Sequence, residues 1–199
     1  MNARELDRFM PQPDVRERHE GLVGAPADIV FDVALHFDLQ SIPLVRLIFW
    51  LRSKLMGAAP AGHTSPSPQG FIAEMMSLGW GVLAHRQGRE IVMGAAVQPW
   101  KADVEFRAIP TEQFAEFAEP EYVKIAWTLE AQPLGHAMSR FASETRVVAT
   151  DAAARAKFLR YWRWARFGIV AIRWLMLPAV RREAERRFRE RTRLVAKPS

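Results

Sequence analysis

The chain contains no cysteine, which removes disulfides, thiolate metal sites and cysteine nucleophiles in one step. No run of about eighteen uncharged apolar residues is present, so no segment reads as a membrane-spanning helix. The first residues, MNARELDRFMPQPD, lack the apolar core of a secretory signal, and with the missing cysteine this gives the expectation of a cytoplasmic protein. Also missing are a P-loop, a dinucleotide-binding Gly-rich fingerprint, HExxH and GxSxG. His36, His63, His85 and His136 are too scattered along the chain to suggest a metal centre. The expectation is no metal and no cofactor. Tyrosine is scarce at 2 residues, against 12 Phe, 7 Trp and 8 Met, an inventory suited to a roomy apolar interior in which methionine fills irregular gaps.

What is there fits one soluble domain: 199 residues, 49% of them hydrophobic and 25% charged, are enough for a full-sized core. The net charge of +6 is unevenly spread. Residues 1–150 hold 14 basic and 18 acidic groups, a balance of −4, whereas residues 151–199 hold 14 and 4, a balance of +10. Any argument about an anionic partner therefore concerns the C-terminal segment alone.

A polar N-terminal arm, 1–13, precedes an alternating run at 14–23 that reads as a strand. Pro26 suits a first helical position, and Val30, Val33 and Phe37 share one side of a helix that follows. Ser41 stands as N-cap for a second helix to about residue 56, with Leu44, Leu47, Ile48, Leu51 and Leu55 at helical spacing. Residues 57–70, GAAPAGHTSPSPQG, read as a loop. Strands are expected at 71–78, 80–86, 90–98, 121–132 and 137–150, with 101–110 leaning the same way and a short helix at 111–119. Asp151 caps a long final helix in which Phe158, Trp162, Ala165, Ile169, Ile172 and Met176 form one apolar stripe. Pro178 is expected to bend or end it, and VRREAERRFRERTR continues as a charged helix with Glu and Arg spaced to pair.

The strand-end residues Val23-Gly24-Ala25-Pro26, with Val30 and Phe31 after them, together with Ser143-Glu144-Thr145-Arg146-Val147 running through Asp151 into the long helix, resemble the START-like superfamily, also called SRPBCC. The resemblance spans roughly 14–180, one domain, and leaves 181–199 as a basic helical extension. It implies an α+β helix-grip fold: a strongly curved antiparallel sheet wrapped around a long C-terminal helix, with two short helices between the first and second strands. It also implies binding of an apolar or amphipathic small molecule, of lipid, sterol or polyketide type, in a cavity between sheet and helix. Some members are polyketide cyclases or dehydratases, and a branch acts on protein partners.

Alternation on the first strand puts Glu17, His19 and Gly21 on the face of Val23. Facing a cavity, His19 beside Glu17 could orient a ligand carbonyl or move a proton; at a solvated strand start they would do neither. On the last strand Phe141, Ser143 and Thr145 share a face, making two hydroxyls candidates to fix ligand orientation or simply residues that fit a pleated strand. Phe71, Trp80, Met93 and Trp127 are inward-facing candidates on their strands, as are Trp162 and Met176 on the helix stripe; each would line a pocket or fill the core. Glu144 and Arg146 read as a solvated ion pair.

Trp164, Phe167 and Trp174 fall opposite the main stripe of the last helix, so something besides the sheet should cover them. The early helices, a second copy in a homodimer, or a membrane surface would serve, with intramolecular or dimer cover ranked above membrane. Seven arginines from Arg181 to Arg193 are interrupted by Glu183, Glu185 and Glu190 without any nucleic-acid fold signature, so no nucleic-acid partner is expected. Three readings stand: an apolar-ligand binder, a cyclase- or dehydratase-like enzyme using His19 and Glu17, and an adaptor working through the aromatic face.

Overall fold

The structure, a computed structural model, describes residues 5–37 and 71–195, apart from the side chains of Phe71, Ile169, Arg173 and Val195. The expected second helix at 41–56 and the loop at 57–70 lie outside the described residues.

The elements run α1 (Glu5–Phe9), β1 (Val15–Val23), α2 (Ala27–Leu35), α3 (Phe71–Ser77), β2 (Gly81–Arg86), β3 (Glu90–Val97), β4 (Phe106–Arg107), α4 (Thr111–Phe114), β5 (Val123–Gly135), β6 (Met138–Ala149) and α5 (Ala152–Val195). All strand pairs are antiparallel, in the order β1-β6-β5-β3-β2, with β4 on the end of β3 that β2 leaves free. Consecutive strands β1 and β2 therefore occupy opposite edges, and the helices between them make the crossing. One long helix lies against one face of a curved sheet. This is the helix-grip α+β arrangement.

Strict alternation sorts side chains between the faces. Odd-numbered residues of β1, β3, β5 and β6 face α5 and α2, forming a core of Val23, Ile91, Met93, Ala95, Trp127, Leu129 and Phe141 with Val30 and Phe31 of α2 and Met176, Val180 and Ala184 of α5. At the other end of the same face Val97, Val123 and Val147 pack on Phe158 and Trp162.

Several expectations about local structure are overturned. Residues 71–78 form helix α3, not a strand. Its end is a Schellman motif: the amide of Trp80 donates to the Met75 carbonyl at 3.1 Å and that of Gly79 to Met76 at 3.0 Å, with Gly79 in the left-handed region at φ +96° and Trp80 and Met75 in contact with the same core. Of 101–110, only Phe106–Arg107 pairs as a strand. Pro26 occupies the N-cap of α2 rather than its first turn. Asp151 does cap α5, accepting from the amides of Ala154 at 2.7 Å and Glu121 at 2.5 Å, and these bonds hold its carboxyl below the usual range. Pro178 does not end that helix, which runs on to Val195; Pro178 is exposed, so the hydrogen bond it removes lies on the solvent side. Beyond it the charges pair as spaced, Arg186 holding Glu183 and Glu190 and Arg187 holding Glu183 and Asp32 of α2. The two guanidiniums pull the Glu183 carboxyl down to about 2.

The outer face of the sheet is also covered. Leu6, Phe9 and Met10 of the N-terminal arm are buried against Leu83, Val92, Ala96, Ala126 and Phe114. Glu144 and Arg146 point to this face and are wholly buried, at 0% and 1% exposure, so the expected solvated ion pair is instead an interior one. Arg146 donates to Glu144 at 2.7 Å, to the Met10 carbonyl at 2.6 Å and to Asp7 at 2.6 Å. It ties α1 to the sheet. Arg16 and Arg18 close on Glu144 at 2.8 and 3.1 Å. Burial tends to raise the Glu144 carboxyl, but Arg146 and Arg16 outweigh it and hold it low.

Farther along this face Glu90 sits opposite Glu130. Burial, then the neighbouring carboxylate, push its pKa above the usual carboxylate range, while Arg86 at 3.6 Å offsets only part. An acid weaker in the folded than in the unfolded chain costs stability as pH rises through the carboxylate range. Glu90→Gln should therefore raise Tm at neutral pH, with the difference shrinking to nothing in acid below that range; a neutral-pH Tm at or below that of the parent would contradict the assignment.

Candidate functional site on the concave face

The side of the sheet that meets α5 carries polar groups in its middle, and Ser139 near one end, where its hydroxyl donates to the Ala25 carbonyl at 2.9 Å. Register sets His19 opposite Ser143 and Glu17 opposite Thr145, and continues those rows across β5 and β3 with Leu129 and Ile91 in the first and Trp127 and Met93 in the second. Val15 and Val147 close one end; Gly21, Val23 and Phe141 close the other. Ser143 is 4% exposed. Glu17 and His19 are half-buried.

The helix above matches this layout in length. Phe158 and Trp162 sit on Val147, and Met176 and Val180 belong to the core that holds Phe141. From Trp162 to Met176 the helix rises roughly 21 Å, and β6 covers roughly 20 Å between Val147 and Phe141. The turns between therefore span the polar rows. On the sheet-facing stripe, Phe158, Trp162, Met176 and Val180 are buried, whereas Ala165 and Ile172 between them are only half-buried. Ala165 and Gly168, both small and half-buried, lie on the turns of α5 between these end contacts.

Aromatic rings flank the polar rows. Trp80 stacks on Phe106 with centroids 4.9 Å apart and meets Trp127 edge-on at 6.0 Å. Trp80 arrives from the turn after α3, not from a strand as expected. Of the residues singled out from sequence, Met93, Trp127, Phe141, Trp80 and Met176 share one cluster, with Ser143, Thr145, His19 and Glu17 on the same face. Trp162 stands apart in the second cluster, stacked on Phe158 at 5.6 Å. The side chain of Phe71 is outside the described residues. Ile125 and Leu129 also line this face; the alternation that marks Trp127 marks them too. His85 is a further member, stacked on Phe31 of α2 at 6.0 Å, brought inward by the register shift between Val82 and Ala84. A β-bulge leaves no trace in periodicity. Among the described residues no group of His, Asp and Glu could hold a metal ion, and no helix is long and apolar enough to cross a membrane.

No family model and no curated protein matches the chain. Solved structures similar to it include the Zhui aromatase/cyclase from Streptomyces sp. R1128, at 15% identity over 87% of this chain and 94% of that one, TM-score 0.33. A norcoclaurine synthase point mutant from Thalictrum flavum, in complex with a transition-state analogue, is similar at 13% identity over 85% and 93%, TM-score 0.30. The protein DR_A0006 from Deinococcus radiodurans is similar at 14% identity over 77% and 99%, TM-score 0.30. Likenesses at this level carry no weight for function; the helix-grip arrangement stands on strand order and helix placement.

Proposed function

We propose that the chain binds an apolar or amphipathic small molecule, of lipid, sterol or polyketide type, between the concave face of the sheet and the middle turns of α5. One observation carries this reading: Ala165 and Ile172 stay half-buried on a stripe whose two ends are fully buried, directly over the polar rows. The Ser143 hydroxyl and Thr145 would bond the ligand's oxygen, while Trp127, Trp80 and Met93 take its apolar body.

The space itself is testable without knowing the ligand. Ala165→Leu should leave stability within about 0.5 kcal/mol of the parent, because the added side chain enters open space. In a packed interface it would cost about 1–3 kcal/mol. The same variant should lose binding of a fluorescent fatty-acid probe. Ser143→Ala and Thr145→Val should each weaken that binding about three- to tenfold, the worth of one hydrogen bond; full binding in both variants would remove the two hydroxyls from the site.

A second reading is favoured by the placement of His19 and Glu17 on this same face: acid–base chemistry on a bound polyketide-like substrate. It requires that His19→Gln and Glu17→Gln retain binding and abolish turnover of an aromatisable polyketide analogue. Turnover that survives both substitutions leaves binding alone.

A further inference from the structure

The outward face of α5 takes no part in the proposed ligand site. Trp164, Phe167 and Trp174 are 78%, 66% and 69% exposed. At helical spacing they form one line roughly 15 Å long. Exposed Arg160 and Arg182 stand at its ends, and exposed Arg163 and Arg166 along its flank; the Arg166 guanidinium lies 5.3 Å from the centre of the Phe167 ring. Among the described residues none of these four arginines has a carboxylate partner. Helix α2 does not provide the cover: it packs farther along, where Gly24 bonds Glu185 at 3.1 Å and Asp32 pairs with Arg187 at 3.0 Å.

We propose that this face docks on an anionic lipid bilayer, with the three rings at the level of the headgroups and the arginines on their phosphates. Charge selects this occupant. From residue 152 to residue 182 the helix carries eight Lys and Arg and no Asp or Glu. A second copy laid along the same stretch would set like charges against like, so the homodimer, one of the two covers ranked above a membrane from sequence, is disfavoured. Duplex nucleic acid would meet the cations but press apolar rings against its phosphates. A helix with an aromatic line, arginine flanks and too little apolar length to span is suited to lie in the plane of a membrane interface, and each cation near an anionic surface adds to the attraction.

Co-sedimentation of the full chain with phosphatidylcholine vesicles containing roughly a third phosphatidylglycerol tests this. Binding is expected to these vesicles and not to pure phosphatidylcholine, with a blue shift of tryptophan emission and release by high salt. Arg160→Gln/Arg163→Gln/Arg166→Gln should weaken it on the order of a hundredfold, and Trp164→Ser/Phe167→Ser/Trp174→Ser should abolish it. Both triple variants change exposed side chains, so Tm should hold. The proposal is overturned if the parent stays in the supernatant with anionic vesicles at low salt, or if either triple variant binds as the parent does. A dimer seen by sedimentation velocity and abolished by the serine variant would overturn it, as would binding of a single-stranded oligonucleotide that those rings mediate.

Discussion

Arg146→Met is expected to destabilise the fold by about 3–5 kcal/mol, because it strips a wholly buried carboxylate of its closest cation. Glu144 is 0% exposed and would be left with Arg16 and Arg18, whose own side chains reach solvent. The Met10 carbonyl and Asp7 would lose their donor as well, so α1 should come loose before the sheet does. Amide exchange ought to show this as lost protection around the buried residues Leu6, Phe9 and Met10. Arg140→Ala, which touches only an exposed pair with Glu20 at 4.0 Å, should change stability by less than about 1 kcal/mol. Combining Arg146→Met with Glu144→Leu should cost less than the sum of the two single changes, since the second removes the stranded charge. Urea unfolding decides the matter; a loss under about 1 kcal/mol for Arg146→Met would mean that the buried network contributes little.

Gly79→Ala should be comparably severe, at about 3–4 kcal/mol. The residue sits at φ +96°, and a Cβ there would stand 2.0 Å from the backbone carbonyl oxygen of Phe106. No rotamer relieves a collision between a Cβ and a main-chain atom. Either the Schellman turn opens or β4 moves away, and in both cases Trp80 loses its stacking on Phe106 and its edge contact with Trp127. Binding of an apolar probe should fall with stability. Gly135 provides the control: no atom lies within 4 Å of its would-be Cβ, and Gly135→Ala should stay within about 0.5 kcal/mol of the parent. Equal effects of the two substitutions would contradict the account of the turn.

Alternation made β1, β5 and β6 legible, because period two at half-buried strands leaves little freedom: once Val23 is inward, Glu17 and His19 follow. The inward stripe of α5 was legible for the same reason at period 3.6. Residues 71–77 misled because FIAEMMS is apolar at both periods and short; the overlooked signal was Gly79, a helix-ending glycine followed by a hydrophobic residue. The buried Arg146 pair escaped because α1 has only five residues, and nothing in a polar arm announces that Leu6, Phe9 and Met10 will roof the outer face. At the site, the polar rows could be placed from sequence, but the part of α5 that lies above them could not. It depends on which turns of α5 land on which strand pairs, a tertiary fact set by the two end clusters. Trp80 and His85 reached the same face through a turn and a bulge, and neither shows in periodicity.

The proposed function requires an organic molecule held between Ser143, Thr145, Trp127 and the middle turns of α5. Native mass spectrometry of the full chain and of Ala165→Leu, both purified from the cells that make the protein, tests it most directly. The parent is expected to carry the added mass of a small apolar molecule, released by organic solvent and identified in the extract, while Ala165→Leu flies at the mass of the bare chain. Bare mass for the parent, with no apolar probe taken up afterwards, would contradict the claim.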